Sequence, residues 1–455
     1  MLYYFFNWLT QNFDLPGGRL LNYISIRVAV VVVVSLAIST LFGKRFILFL
    51  QRKQIGETVR NLELPGQNEK AGTPTMGGIL IVLSVLIPIL LFAKLNNIYI
   101  ILMIITTLWF GLLGFADDYI KVFRKNKNGL SKKQKLLGQI VIGILVGFVM
   151  YFHSDTVIKE KIANFNRYEF TENVFSIGNT DESIPVSGFG KAEKSSKTTI
   201  PFFKNNEFNY AWLTTWMGDK SGKWSAIFYI LIVTFIIAAV SNGANLTDGL
   251  DGLAVGVSAF ILIGIAILAY VSGNTFFANY LNIMYIPNIS EIVIFTAALI
   301  GALIGFYWWN CYPARIFMGD TGSLMLGGVI AVLCVIIRKE FLIPVLCGIF
   351  FIETLSVIIQ VYHFRWFRKK NGREPISEER FFLMTPLHHH YQKKAEKEFQ
   401  AKYREKFITE FTKKYGIAPD AKDIPQSKSE PKIVQHFIIV SMLLVILAII
   451  TLKIR

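Results

Sequence analysis

Five aspartates in this chain stand at or beside the ends of long apolar runs. Asp117 and Asp118 lie in "GFADDYIK", Asp248 and Asp251 in "NLTDGLDGLA", and Asp320 in "MGDTGS". Ionisable groups bordering hydrocarbon are costly, so a set of them marks function more readily than one capping residue does. Hard oxygen ligands with few histidine or cysteine partners suit Mg²⁺, which takes one or two carboxylates and completes its shell with phosphate oxygens and water. Neighbours on a helix project about 100° apart, which gives Asp117 and Asp118 different tasks, whereas Asp248 and Asp251 can share a face. After "ADD" come Lys121, Arg124, Lys125, Lys127, Lys132, Lys133 and Lys135. Anchoring at the inner face of a membrane accounts for most of them. Beside carboxylates they also fit a magnesium diphosphate site with added positive charge for a phosphorylated lipid. "GTPTMGG" and "MGDTGS" are small-residue turns leading into helices, where backbone N–H groups meet anions. Neither is a nucleotide-loop fingerprint. These residues together point to phosphoryl transfer at a membrane surface.

"TPLHHHYQ" holds three of the six histidines. On a helix or a strand their side chains diverge, so the triplet does not make a three-ligand metal site. His388 and His389 are expected to hydrogen-bond substrate phosphate or an aspartate, and His390 to be solvated.

The elements that carry these residues are apolar. The 455 residues have a mean hydropathy of +0.46 and are only 17% charged, well below the roughly 25% of a soluble domain. Ten runs are long enough for membrane-spanning helices: 28–49, 76–94, 98–117, 134–152, 224–242, 249–271, 291–309, 322–337, 341–363 and 433–452. The expected fold is an all-α polytopic membrane protein, one integral membrane domain over 1–455. The net charge of +16 lies mostly in loops between apolar runs, which points to lipid and anionic substrate rather than nucleic acid. Short loops after odd-numbered spans hold 14 Lys plus Arg against 7 on the other side. This predicts cytoplasmic odd loops, both termini outside, and an active-site cleft on the cytoplasmic face, because every motif above falls in or beside an odd loop. Cys311, Cys334 and Cys347 include no CxxC pair and are expected to be packing residues. No cleavable signal peptide is expected at "MLYYFFNWL", which resembles an aromatic interfacial segment. Residues 154–200 are expected to form an extracytoplasmic loop with an insertion, and 364–432 a cytoplasmic loop bearing the histidines. Tyr391, Phe399, Tyr403, Phe407, Phe411 and Tyr415 recur at multiples of four, the mark of an amphipathic helix ending near Gly416, either on the inner leaflet or packed on a neighbour.

"GTPTMGG", "FADDYIK", "NLTDGLDGLA", "ARIFMGDTGSL" and "PLHHH", in that order, resemble the phospho-N-acetylmuramoyl-pentapeptide-transferase family of bacterial peptidoglycan synthesis. The resemblance extends over all ten spans, with added length at about 155–196 and 392–428. It implies transfer of phospho-N-acetylmuramoyl-pentapeptide from its UDP carrier to undecaprenyl phosphate in the bacterial inner membrane, giving lipid I and UMP, with Mg²⁺ required. A homodimer is also implied by the resemblance. Asp320 matches the family's magnesium-associated carboxylate, and Asp117 and Asp118 match its aspartate pair, with Asp117 at the lipid phosphate. Lys70, Asn242, Asp248, Asp251, Asn310 and Phe317 match positions for the uridine diphosphate part. Lys121, Lys125 and Lys133 match basic residues near the phosphates, and His388 and His389 match the histidine motif, His388 as a catalytic candidate. Two mechanisms stay open: direct attack by the lipid phosphate with Asp117 as base, or a phospho-enzyme formed by an aspartate. A phosphate monoester is already mostly dianionic at neutral pH, which favours the first. A polyprenyl-phosphate transferase of UDP-N-acetylhexosamine is the nearest rival, and "PLHHH" speaks against it. An anion transporter is a further rival, disfavoured because transporter sites lie near the midplane of repeated halves.

Overall fold

The computed structural model describes residues 1–13, 18–53, 70, 72–124, 126, 128–161, 189–201, 207–415 and 427–452. The helices are α1 (Leu2–Phe13), α2 (Ile24–Arg52), α3 (Gly78–Phe92), α4 (Ile98–Phe123), α5 (Lys132–Phe152), α6 (Ser221–Thr247), α7 (Leu253–Ser272), α8 (Thr275–Leu281), α9 (Ser290–Asn310) and α10 (Gly319–Ile336). Then follow α11 (Glu340–Leu346), α12 (Gly348–Asn371), α13 (Leu387–Tyr415) and α14 (Glu430–Thr451). Eight of them, α2, α4 to α7, α9, α10 and α14, are long and apolar enough to cross a membrane. The protein is thus mostly helical and polytopic.

Two expected spans depart from a plain rod. α3 has 15 residues, which reach only about 22 Å. The run 341–363 is broken, α11 and α12 meeting at a bend of 77°.

α10 is the central post. Thr321 to Ile336 are all buried, as befits a helix apolar on every side, and α4, α6 and α3 pack around it. α4 comes exceptionally close: a Cβ on Gly114 would lie 2.2 Å from the carbonyl oxygen of Asp320. Glycine at 114 therefore lets the backbones touch, and the next turn of α4 delivers Asp117 and Asp118 to the N-terminus of α10.

The opposite end of the bundle buries charges of its own, each with a partner as burial demands. Arg27 meets Glu291 through two contacts of 2.9 and 2.8 Å. A two-stranded hairpin, Lys197–Thr199 with Glu207–Asn209, is antiparallel with Thr198 opposite Phe208. It docks on the α10–α11 connection: Thr198 donates to Glu340, and the Lys339 ammonium donates to Thr199 at 2.6 Å, while Arg338 turns to α6 and donates to the Tyr229 hydroxyl at 3.1 Å. α1 lies at this end too, the Met1 amino group just ahead of it 2.6 Å from the Leu90 carbonyl. Tyr4, Phe5, Phe6 and Trp8 on α1 are exposed.

α13 covers the aromatic repeat, with Phe399–Tyr403 and Phe411–Tyr415 rings in contact along one side. Only His388 and Gln392 of this helix are buried. Gly416 lies outside the described residues, as does most of the 154–200 segment. All three cysteines are free, and Cys334 and Cys347 are buried.

Candidate active site

Asp117, Asp118 and Asp320 converge, each presenting a carboxylate oxygen within 4.8 Å of the others. The 100° between Asp117 and Asp118 gives them different partners. Asp118, 3% exposed, turns onto α10. Its Oδ1 accepts from the Asp320 amide at 3.1 Å, and its Oδ2 from the Thr321 amide at 2.9 Å and the Thr321 hydroxyl at 2.6 Å. The anion at this helix N-terminus is therefore the protein's own. The amides of the other small-residue turn are also taken, Gly77 and Gly78 donating to the carbonyls of Phe317 and Met318 at 2.9 Å each.

Asp117 faces the basic residues. Its Oδ1 accepts from the Leu130 amide at 2.6 Å. Its buried Oδ2 lies against the Lys121 and Lys135 ammonium groups, at 2.6 and 3.0 Å. The same two lysines reach Asp320 Oδ2, at 3.1 and 2.5 Å, and Asn245 donates to Asp320 Oδ1 at 3.1 Å. Lys135 owes its place to a capping box: Ser131 accepts from the Gln134 amide at 3.3 Å, and Gln134 accepts from the Ser131 amide at 2.9 Å. That start fixes the phase of α5, so Lys135 points inward and Lys133 is exposed. Lys125 lies outside the described residues. Three carboxylates against two ammonium groups leave a net charge of −1. All the donors are hard oxygens, and three of them from separate carboxylates lie within 4.8 Å of one another, so the residues fit a divalent cation of the magnesium type.

A second charge network lies in the loop before α7. Asp251, 5% exposed, accepts from Lys70 Nζ at 2.6 Å and from the Ala314 amide at 3.0 Å. Lys70 also donates to Glu430 Oε1 at 2.5 Å, and the Asp251 amide donates to the same carboxylate at 2.9 Å. Burial disfavours the Lys70 charge, but Glu430 and Asp251 overcome it and raise the ammonium pKa above its usual value. Asn310 ties this loop to the next, accepting from the Gly252 amide at 3.2 Å and donating to the Ile316 carbonyl at 2.8 Å. Phe317 is half-buried beside it, its amide donating to the Pro74 carbonyl at 2.8 Å. An open cleft of about 480 Å³ borders the network at Ala314, lined by Lys44, Gln51, Thr73, Pro74, Trp309 and Arg315 among others.

The chain is similar to known proteins. A family model described as glycosyl transferase family 4 matches residues 100–338. A second, phospho-N-acetylmuramoyl-pentapeptide-transferase signature 1, matches residues 70–82. The phospho-N-acetylmuramoyl-pentapeptide-transferase of Flavobacterium psychrophilum is 50% identical over 455 residues, the whole of both chains. The proteins of the same name from Flavobacterium johnsoniae and Parabacteroides distasonis are each 49% identical, again over the whole of both chains. The chain belongs to the phospho-N-acetylmuramoyl-pentapeptide-transferase family.

The structure gives His388, His389, His390, Asn242 and the Asp248–Asp251 pair surroundings that the sequence did not indicate. His388 is fully buried and directed at Glu353, Nδ1 to Oε1 3.3 Å, rather than at an aspartate. Its Nε2 presses on the 248–252 loop, where a Cβ on Gly249 would lie 2.1 Å away; the loop thus leans on the imidazole. His389 bonds Gln392 at 2.8 Å, and burial, followed by the nearby His388, pushes its pKa down to about 4. His390 is half-buried and accepts from the Leu383 amide at 3.1 Å, so it is not simply solvated. Asn242 exchanges hydrogen bonds of 3.0 and 3.2 Å with Gln139, and Asn245, one turn on, reaches the carboxylates. Asp248 and Asp251 do not share a helix face, because 248–252 is a turn between α6 and α7.

Sequence reasoning did not single out Asn245, Thr321, Glu353 or Glu430, and it left Lys135 among the anchoring lysines. Helix phase was the available signal for Lys135, and Ser131–Gln134 set it. Glu430 opens an apolar helix ahead of Pro431, a position that reads as ordinary compensation of the helix dipole.

Proposed function

We propose that the protein transfers phospho-N-acetylmuramoyl-pentapeptide from UDP-N-acetylmuramoyl-pentapeptide to undecaprenyl phosphate, giving lipid I and UMP, at the cytoplasmic face of the bacterial inner membrane. The observation that carries this reading is the Asp117–Asp118–Asp320 cluster with Lys121 and Lys135, set at one end of an apolar bundle in a chain of this family. The orientation follows the lysine and arginine bias of the short loops. Mg²⁺ would be held by Asp320 and Asp117 and would neutralise charge on the diphosphate.

The chain's own residues have separable tasks in direct transfer. The lipid phosphate is mostly dianionic at neutral pH, so it needs orientation and charge neutralisation more than deprotonation. Asp117 orients it or takes its last proton. Lys121 and Lys135 turn from the carboxylates to the phosphate oxygens when substrate arrives. Asp118 stays on the α10 N-terminus and keeps Asp320 in place. An oxygen of the lipid phosphate forms a bond to the β-phosphorus, the bond to the bridging oxygen breaks, and UMP departs with the electron pair. Purified protein with both substrates and Mg²⁺ is expected to release UMP. Release with UDP-N-acetylglucosamine and not with the muramoyl donor would overturn the assignment.

A further inference from the structure

Helix α13 outruns its support. Its first turns are tied down: His388 and Gln392 are buried, the Tyr391 ring meets Phe437 of α14 with centroids 6.1 Å apart, and Glu396 accepts from the Ser427 amide at 2.8 Å. Beyond Gln400 the helix runs on for about 22 Å. Over that length, residues 401–415 make no hydrogen bond, ion pair or ring contact with another described element. The rings of Phe399, Tyr403, Phe407, Phe411 and Tyr415 do not join the bundle core. A row of rings left uncovered by the described residues marks a docking surface.

The charges around the row say what it docks on. At about 100° per residue the five rings step round by about 40° each and span an arc of about 160°, with Ile408 at its edge. Lys402, Lys406 and Lys413 lie within about 60° of one border, and Lys397 and Arg404 lie near the other. Glu398 and Glu405 stand opposite the centre of the arc. Inside it fall only Glu410 and Lys414. The Lys402 ammonium lies over the Tyr403 ring, 5.3 Å from its centroid, and that of Lys414 over Tyr415 at 5.1 Å. Across α13, eight lysines and arginines face four glutamates. Rings on one side, ammonium groups at its borders and acids at the far pole match a helix lying among anionic lipid headgroups. The rings enter the apolar boundary, the lysine stems reach back to the phosphates, and the acids stay clear of them. The place agrees as well, because α13 starts against the ends of α12 and α14, and α12 closes on Arg368, Lys369 and Lys370.

We propose that residues 397–415 are an arm that lies on the anionic bilayer surface, with the aromatic row immersed and Glu398 and Glu405 facing water. The occupant of this face is therefore lipid rather than a second protein or the chain's own bundle.

The test uses the full chain in nanodiscs of phosphatidylglycerol. Cys311→Ser leaves two buried cysteines, and a nitroxide is then placed at Phe407→Cys or at Glu405→Cys. The label at 407 is expected to be relaxed by oxygen and shielded from a water-soluble nickel complex, and the label at 405 to show the reverse. Lys402→Gln with Lys406→Gln removes two border charges, each worth about a fivefold preference for an anionic surface, so the ratio of immersed to free label at 407 is expected to fall about twenty-five-fold. Both labels open to nickel would overturn the proposal, because the arm would stand in water. A label at 407 shielded from both relaxants would overturn it in favour of a protein contact, most simply a second copy. A ratio unmoved by the lysine changes would overturn the assignment to anionic headgroups.

Discussion

Replacing Asp118 with asparagine separates a residue that holds the site from one that touches the reacting atoms. Asp118 accepts three hydrogen bonds through both oxygens, from Asp320, Thr321 and the Thr321 hydroxyl. Asparagine keeps one acceptor oxygen, so an NH₂ group must face at least one of those donors. Leaving a buried donor unpaired costs about 1–3 kcal/mol, and losing the negative charge at a helix N-terminus costs roughly 0.3–2 kcal/mol more. The sum, on the order of 3 kcal/mol, corresponds to about a hundredfold drop in the population with Asp320 correctly placed. Asp118→Asn is therefore expected to lower kcat about a hundredfold and also to lower the unfolding temperature. Thr321→Val, which removes only the hydroxyl bond, is expected to lower stability by about 1 kcal/mol. Differential scanning fluorimetry beside UMP release gives both numbers. Turnover abolished in Asp118→Asn with an unchanged unfolding temperature would refute the argument and move Asp118 onto the substrate.

Asp320→Ala is expected to abolish UMP release at any magnesium concentration, whereas Asp117→Asn should lose turnover and keep UMP affinity within about threefold, read by equilibrium binding. Lys135→Met should cut turnover by about a hundredfold through loss of a charge-assisted contact, and Lys133→Met, on the exposed face, should stay within twofold; the reverse order would show that α5 is rotated. His389 gives a pH test. Its folded-state pKa of about 4 lies below the usual 6.5, so the unfolded chain takes the proton first. The associated stability is intact above pH 6.5 and is lost as pH falls toward 4, by about 3 kcal/mol at most. His389→Gln should flatten that part of the unfolding profile relative to wild type; an identical profile would show that His389 is not buried neutral.

Much of this site was legible in the residues because membrane proteins leave few places for charge. Asp117, Asp118 and Asp320 stood out because each borders an apolar run, and the angle between neighbouring helical residues already pointed the first two at different partners. The helices followed from bilayer-length hydrophobicity, but not the break at Cys347, where composition stays apolar through the bend. Partner choice was not legible. Whether His388 meets an aspartate or Glu353 depends on how α12 lies against α13, and no local pattern encodes that. Asn242 and Asn245 are one turn apart in the same motif, and packing against Gln139 decides which of them is left for Asp320. Glu430 and Lys70 are 360 residues apart, beyond any spacing rule.

The carboxylate on the α10 N-terminus has a consequence for how the enzyme attracts its substrates. Because Asp118 already occupies that end, the fixed partial charge of the helix is spent internally and adds nothing to the pull on a diphosphate. Among the described residues of the cluster, attraction is left to two ammonium groups on flexible stems, which can follow a phosphate in, exchange partners with Asp117 and Asp320, and let a product go. Such a site takes its affinity from mobile countercharges, so the capture of both phosphorylated substrates should weaken steeply with ionic strength while the scaffold around them stays unmoved.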